Sequence, residues 1–217
     1  MDRNEGILDH YNKTAELTWN LWESRNRAFL MLIVAISLAA VLANDEMLLG
    51  VLKSICEQGK VKCESLAPSG MSYLMVHSVI LVLVCYYMLT LYHRTASVLM
   101  SYRYMGELEK ELRYGFGFAS GDVTFTREGA FYMANRPKPF SYVKWLYSII
   151  IGVLLFLCYF VRFSKDFNSA GNVSFRWNEP QTMMLAVDTC ICALTVLAFV
   201  FYLRASFRLG SSATAAT

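Results

Sequence analysis

Four long apolar segments constrain this chain more than any other feature. They occupy residues 28–43, 71–92, 145–161 and 182–203, and none contains proline, lysine or arginine. A helix needs about 20 apolar residues to cross the ~30 Å hydrocarbon core of a bilayer, and the first segment can extend to Leu49. We therefore expect an all-α membrane protein with four transmembrane helices.

The overall composition agrees with this expectation. The chain has 217 residues, of which 56% are hydrophobic and only 17% are charged, whereas about 25% charged residues are typical of soluble domains. The first apolar segment lacks a small-residue cleavage site, so we expect it to remain as a helix. The net charge of +3 is too small to suggest direct nucleic-acid binding.

Lysine and arginine are distributed unequally between the two sides that four spans define, which predicts the orientation. Fourteen lie in the terminal segments and the central loop: Arg3, Lys13, Arg25, Arg27, Arg94, Arg103, Lys110, Arg113, Arg127, Arg136, Lys138, Lys144, Arg204 and Arg208. Six lie in the other two loops: Lys53, Lys60, Lys62, Arg162, Lys165 and Arg176. The termini and the central loop are therefore predicted to be cytoplasmic.

The predicted spans divide the chain into five parts. They are a cytoplasmic amphipathic helix (1–27), a first transmembrane hairpin (28–92, with spans at about 28–48 and 71–92 and an outer loop at 49–70), a cytoplasmic module (93–143), a second transmembrane hairpin (144–204, with spans at about 144–162 and 182–203 and an outer loop at 163–181) and a cytoplasmic tail (205–217).

The N-terminal helix is predicted from apolar residues at spacings of three and four, namely Leu8, Tyr11, Ala15, Trp19 and Trp22. It can lie on the cytoplasmic leaflet with its tryptophans among the headgroups, or it can pack against the central loop or a neighbouring subunit. Its charges are of mixed sign, whereas surface-lying helices are usually basic. We therefore expect protein packing.

The cytoplasmic module is expected to begin with an extension of helix two. The helical pattern continues to Tyr114, with Gly115 as its C-cap and a solvated i,i+4 pair between Glu109 and Arg113. Residues 122–126 and 130–134 alternate apolar and polar side chains around a turn, which predicts a small β-hairpin. Five charged residues of this module form the expected partner surface: Arg103, Glu107, Glu111, Arg127 and Glu128.

Two of the six cysteines, Cys56 and Cys63, lie in the first outer loop. In an oxidising compartment they can form a disulfide that closes an eight-residue segment; in a reducing one they remain thiols. Cys190 and Cys192 are two residues apart, so they point to different faces of a helix and make a poor metal pair.

Asp188 and His77 are the ionisable residues expected deep within spans. Each is the seventh residue of its span, and both spans run from the outside inwards, so the two side chains are expected at similar depth. A buried carboxylate must be protonated, paired or hydrated. The pair is either a polar clamp that fixes helix register, or a gate or proton-sensing pair in an oligomeric pore.

Catalytic chemistry finds no support in the sequence. The cytoplasmic loops contain no Ser/His/Asp, Cys/His or clustered His/Glu arrangement, and a lone intramembrane aspartate is insufficient for intramembrane proteolysis. No selectivity-filter motif of the TVGYG kind and no arginine-rich span is present. We expect no enzyme, no metal site and no cofactor.

The layout resembles that of small membrane effectors in bacterial anti-phage systems, of the SLATT-like and retron-associated kinds. The resemblance rests on YNKTAELTWNLWESRNRAFLML leading into span one, SYRYMGELEKEL beyond span two and FTREGAFYMANRPKPF in the central loop. SLATT-type proteins usually have two spans, so four spans are a departure.

This resemblance implies a homo-oligomeric effector of the bacterial inner membrane. A cytoplasmic regulatory protein or ribonucleoprotein would keep it silent, and release would let it form a pore or disrupt the bilayer and so arrest the infected cell. Two alternatives stay open at this point. One is an accessory or scaffolding membrane protein, and the other is a constitutive small channel or transporter subunit.

Overall fold

The structure is a computed structural model that describes residues 3–42, 50, 54, 70–117, 138–170 and 180–208. Within these residues the chain forms four long helices and no strand: α1 (Arg3–Leu42), α2 (Gly70–Phe116), α3 (Lys138–Ala170) and α4 (Pro180–Arg208). All four are long and apolar enough to cross a membrane. The prediction of four helices long and apolar enough to span a membrane is confirmed, and the described residues are all-helical; the predicted β-hairpin lies outside the described residues.

The helix ends follow local chemistry. Prolines occupy the first turns of α3 (Pro139) and α4 (Pro180), where the missing N–H removes no intrahelical hydrogen bond. At the end of α2, Gly117 adopts a left-handed φ of 70° and donates its N–H to the Tyr114 carbonyl. The prediction of Gly115 as the cap is wrong by two residues, because the left-handed conformation that glycine permits occurs at Gly117.

The N-terminal amphipathic segment and the first span form one continuous helix of 40 residues. Its buried face differs from the predicted one. Thr14 and Thr18 are buried, whereas Trp19 and Trp22 are 67% and 39% exposed. Tyr11, Thr14 and Thr18 recur at spacings of three and four, as does the predicted apolar set, so periodicity alone could not choose between the two faces.

The four helices contribute to two compact units. Unit 1 comprises Met1–Ala28, Thr90–Ser148 and Val200–Thr217, and unit 2 comprises Phe29–Leu89 and Ile149–Phe199. Every long helix therefore passes from one unit into the other.

Buried residues alternate spacings of three and four along α1 and α2, a period of 3.5 that is typical of coiled-coil packing. On α1 the buried and half-buried seam is Thr14, Thr18, Leu21, Arg25, Ala28, Leu32, Ala35, Ala39 and Leu42. On α2 it is His77, Leu81, Val84, Met88, Leu91, Thr95, Val98, Tyr102, Met105, Glu109 and Leu112. The alanines in the apolar half of α1 permit close helix approach, as expected within a membrane.

Helices α3 and α4 form an antiparallel pair. Going along α3 in unit 2, Gly152 faces Phe199, Tyr159 faces Thr195 and Arg162 faces Asp188. At Gly152 an added Cβ would lie 3.1 Å from the Phe199 ring, so the aromatic side chain occupies the space that a larger residue would need. This register places the polar side chains of α3 opposite those of α4.

Candidate functional site

A buried ion pair joins α3 to α4 in unit 2. Arg162 donates hydrogen bonds from Nε and Nη2 to Asp188 Oδ2 over 2.9 and 2.8 Å. The Arg162 side chain is 2% exposed and the Asp188 side chain is fully buried. A full charge pair therefore lies between two helices that are apolar enough to span a membrane.

Only half of the carboxylate is satisfied by this pair. Both guanidinium hydrogen bonds converge on Oδ2, whereas Asp188 Oδ1 is buried and accepts no hydrogen bond from any described residue. Taking charges out of water costs several kcal/mol per ion before pairing compensates. The pair therefore compensates the two buried charges, but it leaves one carboxylate oxygen without a hydrogen bond.

Arg162 is the member of this pair that the sequence places wrongly. The prediction puts it in the second outer loop, but it is buried within α3 because this helix continues to Ala170. Without Arg162 the predicted charge asymmetry becomes fourteen to five. The spacing of the buried residues on α3 could have indicated its position. Ser148, Ile151, Leu155 and Cys158 are buried at alternating spacings of three and four, and the next position in this series is Arg162.

His77 is also buried, at 1% exposure, on the seam of α2. One turn before Asp188 on α4, the Met184 sulfur accepts a hydrogen bond from Ser78 at 3.9 Å. In this register His77 lies about five residues, or ~7 Å along the axis, before Asp188. The two residues are offset in depth rather than level, and their pairing stays a prediction.

A second polar contact lies beside the ion pair on the same two helices. Thr195 donates to the Ile191 carbonyl at 2.8 Å, so the 2.8 Å contact with Tyr159 is a hydrogen bond that the Tyr159 hydroxyl donates. Both side chains are buried. The α3–α4 seam therefore carries a neutral hydrogen bond and a charged one, separated by about one turn on α3 and two turns on α4.

Polar contacts also join α1 to α2 in unit 1. Tyr11 donates to Glu109 at 3.1 Å, and Thr18 contacts Ser101 and the Met105 sulfur. Glu109 is only 3% exposed, so the predicted solvated Glu109–Arg113 pair is wrong for its carboxylate. The α2 seam rotates Glu109 towards α1 because it falls at a heptad position between Met105 and Leu112.

The predicted partner surface is described in part. Arg103, Glu107 and Glu111 are exposed on α2, and Lys110 contacts Glu107 at 2.8 Å. Arg127 and Glu128 lie outside the described residues, as do the disulfide candidates Cys56 and Cys63. The exposed ring of Tyr114, 93% accessible, lies at the end of the same helix.

The remaining cysteines are free thiols. Cys85 and Cys158 are buried, Cys192 is half-buried and Cys190 is exposed. Cys190 and Cys192 differ in burial, in agreement with their predicted positions on different faces of one helix. No group of three or more His, Cys, Asp or Glu side chains suited to a metal occurs in the part of the chain that the structure describes.

Neither a protein-family model, nor a curated protein, nor a solved structure matches the chain.

Proposed function

We propose that this chain is a membrane effector, of the kind found in bacterial anti-phage (abortive infection) systems, which permeabilises the bilayer as an oligomer after release from a partner. The observation that carries the proposal is the buried Arg162–Asp188 pair. An ionisable group within a membrane span is costly and is usually retained for function rather than for anchoring.

The distribution of polarity in unit 2 supports this proposal. Its buried polar side chains line the helix seams: His77, Ser78, Tyr159, Arg162, Asp188 and Thr195. Its exposed residues are mostly apolar, such as Val79, Val82, Phe156 and Leu197, which suits contact with lipid. Most of its buried residues are apolar as well, so the few buried polar groups mark the seams along which a conduit would open.

The ion pair acts as a latch in this account. In the closed arrangement the two charges neutralise each other, and no described residue donates a hydrogen bond to Asp188 Oδ1. Separating α3 from α4 would let water reach both charges and recover part of their hydration free energy. In this proposal, assembly or a partner supplies the rest of the free energy that opens the seam.

Control by a partner is supported by the exposed charges at the far end of α2. Arg103, Glu107 and Glu111 stand on a helix that extends beyond its apolar portion, where a soluble regulator can reach them. Complementary charge patches increase the rate and the specificity of such an encounter. We place the silencing contact on this surface.

The proposal is tested by membrane-potential dye in bacteria that express the chain alone, together with its genomic neighbours, and during phage infection. We expect depolarisation in at least one of these contexts. The control is a membrane protein that forms no pore, expressed at a matched level. Normal polarisation in all three contexts would contradict it.

A scaffolding role is the second candidate, favoured by the aromatic end of α2. Tyr114 and Phe116 are exposed next to the charged partner surface, and exposed aromatics beside charges are typical of protein interfaces. Under this alternative, a full-length chain would capture the same cytoplasmic partner, the cells would stay polarised, and Tyr114→Ser would abolish capture.

A further inference from the structure

Three arginines of unit 1 lie at nearly one level on three helices. Thr18 on α1 contacts Ser101 on antiparallel α2, so seven residues onwards from Thr18 and seven back from Ser101 bring Arg25 level with Arg94. On α4 the level follows from the Tyr92–Phe201 ring contact. Because α2 and α4 run parallel, Arg204 lies within about one residue, ~1.5 Å, of Arg94.

These three cations have no acidic partner among the described residues. The four ion pairs within the described ranges involve Lys13, Arg27, Lys110 and Arg162. Arg25 instead lies over the Trp22 ring at 5.9 Å. Helix α4 carries no acidic residue after Asp188. Like charges at one level repel one another, so this arrangement favours an anionic ligand.

Tryptophans surround the arginines. Trp22 lies one turn from Arg25, and Trp19 stacks on Trp22 with ring centroids 5.7 Å apart. On α3, Trp145 contacts Phe207 of α4 at 4.5 Å, which places it about one turn, ~4.5 Å, from the level of Arg204. All three indoles are more than one-third exposed, although each is large and apolar.

We infer that Trp19, Trp22, Arg25, Arg94, Trp145 and Arg204 form a basic-aromatic belt that binds the headgroups of anionic phospholipids. Tryptophan favours the boundary between headgroups and acyl chains because its ring is apolar and its N–H is polar. Arginines just outside the hydrocarbon attract lipid phosphates. Arg25 also lies three residues before Ala28, where the apolar run of α1 begins, so the belt occupies the depth where headgroups lie.

This inference extends beyond the effector proposal and does not depend on it, because lipid selectivity can be measured without any permeability. It also explains why the N-terminal helix buries threonines rather than tryptophans. The threonine face packs on α2, and the tryptophan face is left for the bilayer.

Quenching of tryptophan fluorescence by brominated lipids tests the belt directly. The full chain carrying Trp145→Phe and Trp177→Phe, which leaves Trp19 and Trp22 as its tryptophans, is reconstituted into phosphatidylcholine nanodiscs. A fixed share of brominated phosphatidylglycerol or brominated phosphatidylcholine is included. We expect stronger quenching by the anionic lipid, and stronger quenching by bromine near the headgroup than by bromine near the chain ends.

Charge variants separate the belt from general attraction to a basic protein. Each arginine near an anionic surface contributes roughly fivefold to lipid binding, so the combined variant Arg25→Gln/Arg94→Gln/Arg204→Gln should lose the selectivity for phosphatidylglycerol by at least tenfold. The matched control Lys13→Gln/Arg103→Gln/Lys110→Gln removes equal charge away from the belt and should keep it. Should the triple belt variant misassemble, Arg→Lys at the same positions keeps the charge and should keep the selectivity.

Three outcomes would overturn the inference. They are equal quenching by the two headgroups, full selectivity in the Gln belt variant, or no quenching by any brominated lipid. The last outcome would mean that another protein surface, rather than lipid, covers the tryptophans.

Discussion

The pairing of Asp188 with Arg162 is the residue-scale feature on which the account depends. Removing one member of a buried pair leaves an uncompensated charge, which typically costs about 3–5 kcal/mol. Replacing both members by apolar side chains of similar volume leaves no charge to neutralise. Single and double substitutions therefore distinguish the net contribution of the pair to stability from the cost of leaving one charge unpaired.

We predict that Asp188→Ala lowers the free energy of unfolding by about 3–5 kcal/mol, while Arg162→Met/Asp188→Leu remains close to the unchanged chain. Unfolding in increasing sodium dodecyl sulfate, followed by circular dichroism, measures the difference. Thr189→Ala is the matched control, because Thr189 is the exposed neighbour of Asp188 on α4. Equal stability of Asp188→Ala and the control would show that the pair contributes nothing to the fold.

Gly152 gives a second residue-scale prediction. A side chain there would meet the Phe199 ring, and overpacking of this kind costs about 1–3 kcal/mol. We expect Gly152→Leu to destabilise the chain by this amount and the double variant Gly152→Leu/Phe199→Ala to recover much of the loss. Val153→Leu, one residue further on an exposed position, is the control. A double variant no better than Gly152→Leu alone would contradict the contact.

The sequence predicted one partner of the ion pair and missed the other for a physical reason. Asp188 interrupts an apolar run, so its cost in a membrane is visible without a structure. Arg162 follows the last apolar residue of its run, where a loop cation and a buried one look alike. The two cases differ in whether α3 continues beyond this residue and whether the residue falls on the buried face of the helix.

At the scale of elements, the main finding is the coiled-coil period that α1 and α2 share. In unit 1 this seam is polar at several positions, including Thr18 and Glu109, where polar residues in a heptad fix register at some cost in stability. The helix pair outside the apolar segments is therefore specified by directional contacts as well as by packing.

Cysteine cross-linking tests this register. Thr18→Cys and Ser101→Cys, introduced together into a chain free of its other cysteines, should form a disulfide on mild oxidation because the two side chains are in contact. An inserted protease site between α1 and α2 reveals the link as fragments held together on a gel. Leu17→Cys with Ser101→Cys is the control, since Leu17 is exposed. Equal cross-linking of both pairs would contradict the antiparallel register.

The four helices were predictable because apolar runs of this length have few alternatives. The buried faces and the C-terminal caps of these helices were harder to predict. The choice between Gly115 and Gly117 depends on backbone φ, and the choice between the threonine and tryptophan faces of α1 depends on what packs against it. The position of the cap is a local backbone choice between two nearby glycines, whereas the buried face is decided by tertiary contacts, which a single sequence does not reveal.

At the scale of the whole molecule, four helices are long and apolar enough to span a membrane, and four crossings would place both chain termini on one side of the bilayer. The positive-inside rule predicts that this side is the cytoplasm. We predict that a C-terminal green fluorescent protein fusion fluoresces in a bacterium, while an alkaline phosphatase fusion at the same residue is inactive. The same pair of reporters fused within 163–181 should give the opposite result. Active phosphatase at the C-terminus would contradict the orientation.

The proposed permeabilisation depends on whether the seam between α3 and α4 can open. A loss of about 1.4 kcal/mol in the closed state corresponds to a tenfold larger open population. Breaking the latch should exceed that loss, so it should produce a readily measurable leak even without a trigger. A variant that exchanges the two residues should restore the latch, because the ion pair then forms again with the arginine on α4 and the aspartate on α3.

Dye release from vesicles reconstituted with the purified chain tests whether the Arg162–Asp188 pair closes a path through the membrane. We predict that Asp188→Asn releases dye at least ~10-fold faster than the unchanged chain, and that Arg162→Asp/Asp188→Arg returns release to a slow rate. Equal release by all three, at matched protein content and with intact helical structure, would contradict the proposal that this buried pair closes a path through the membrane.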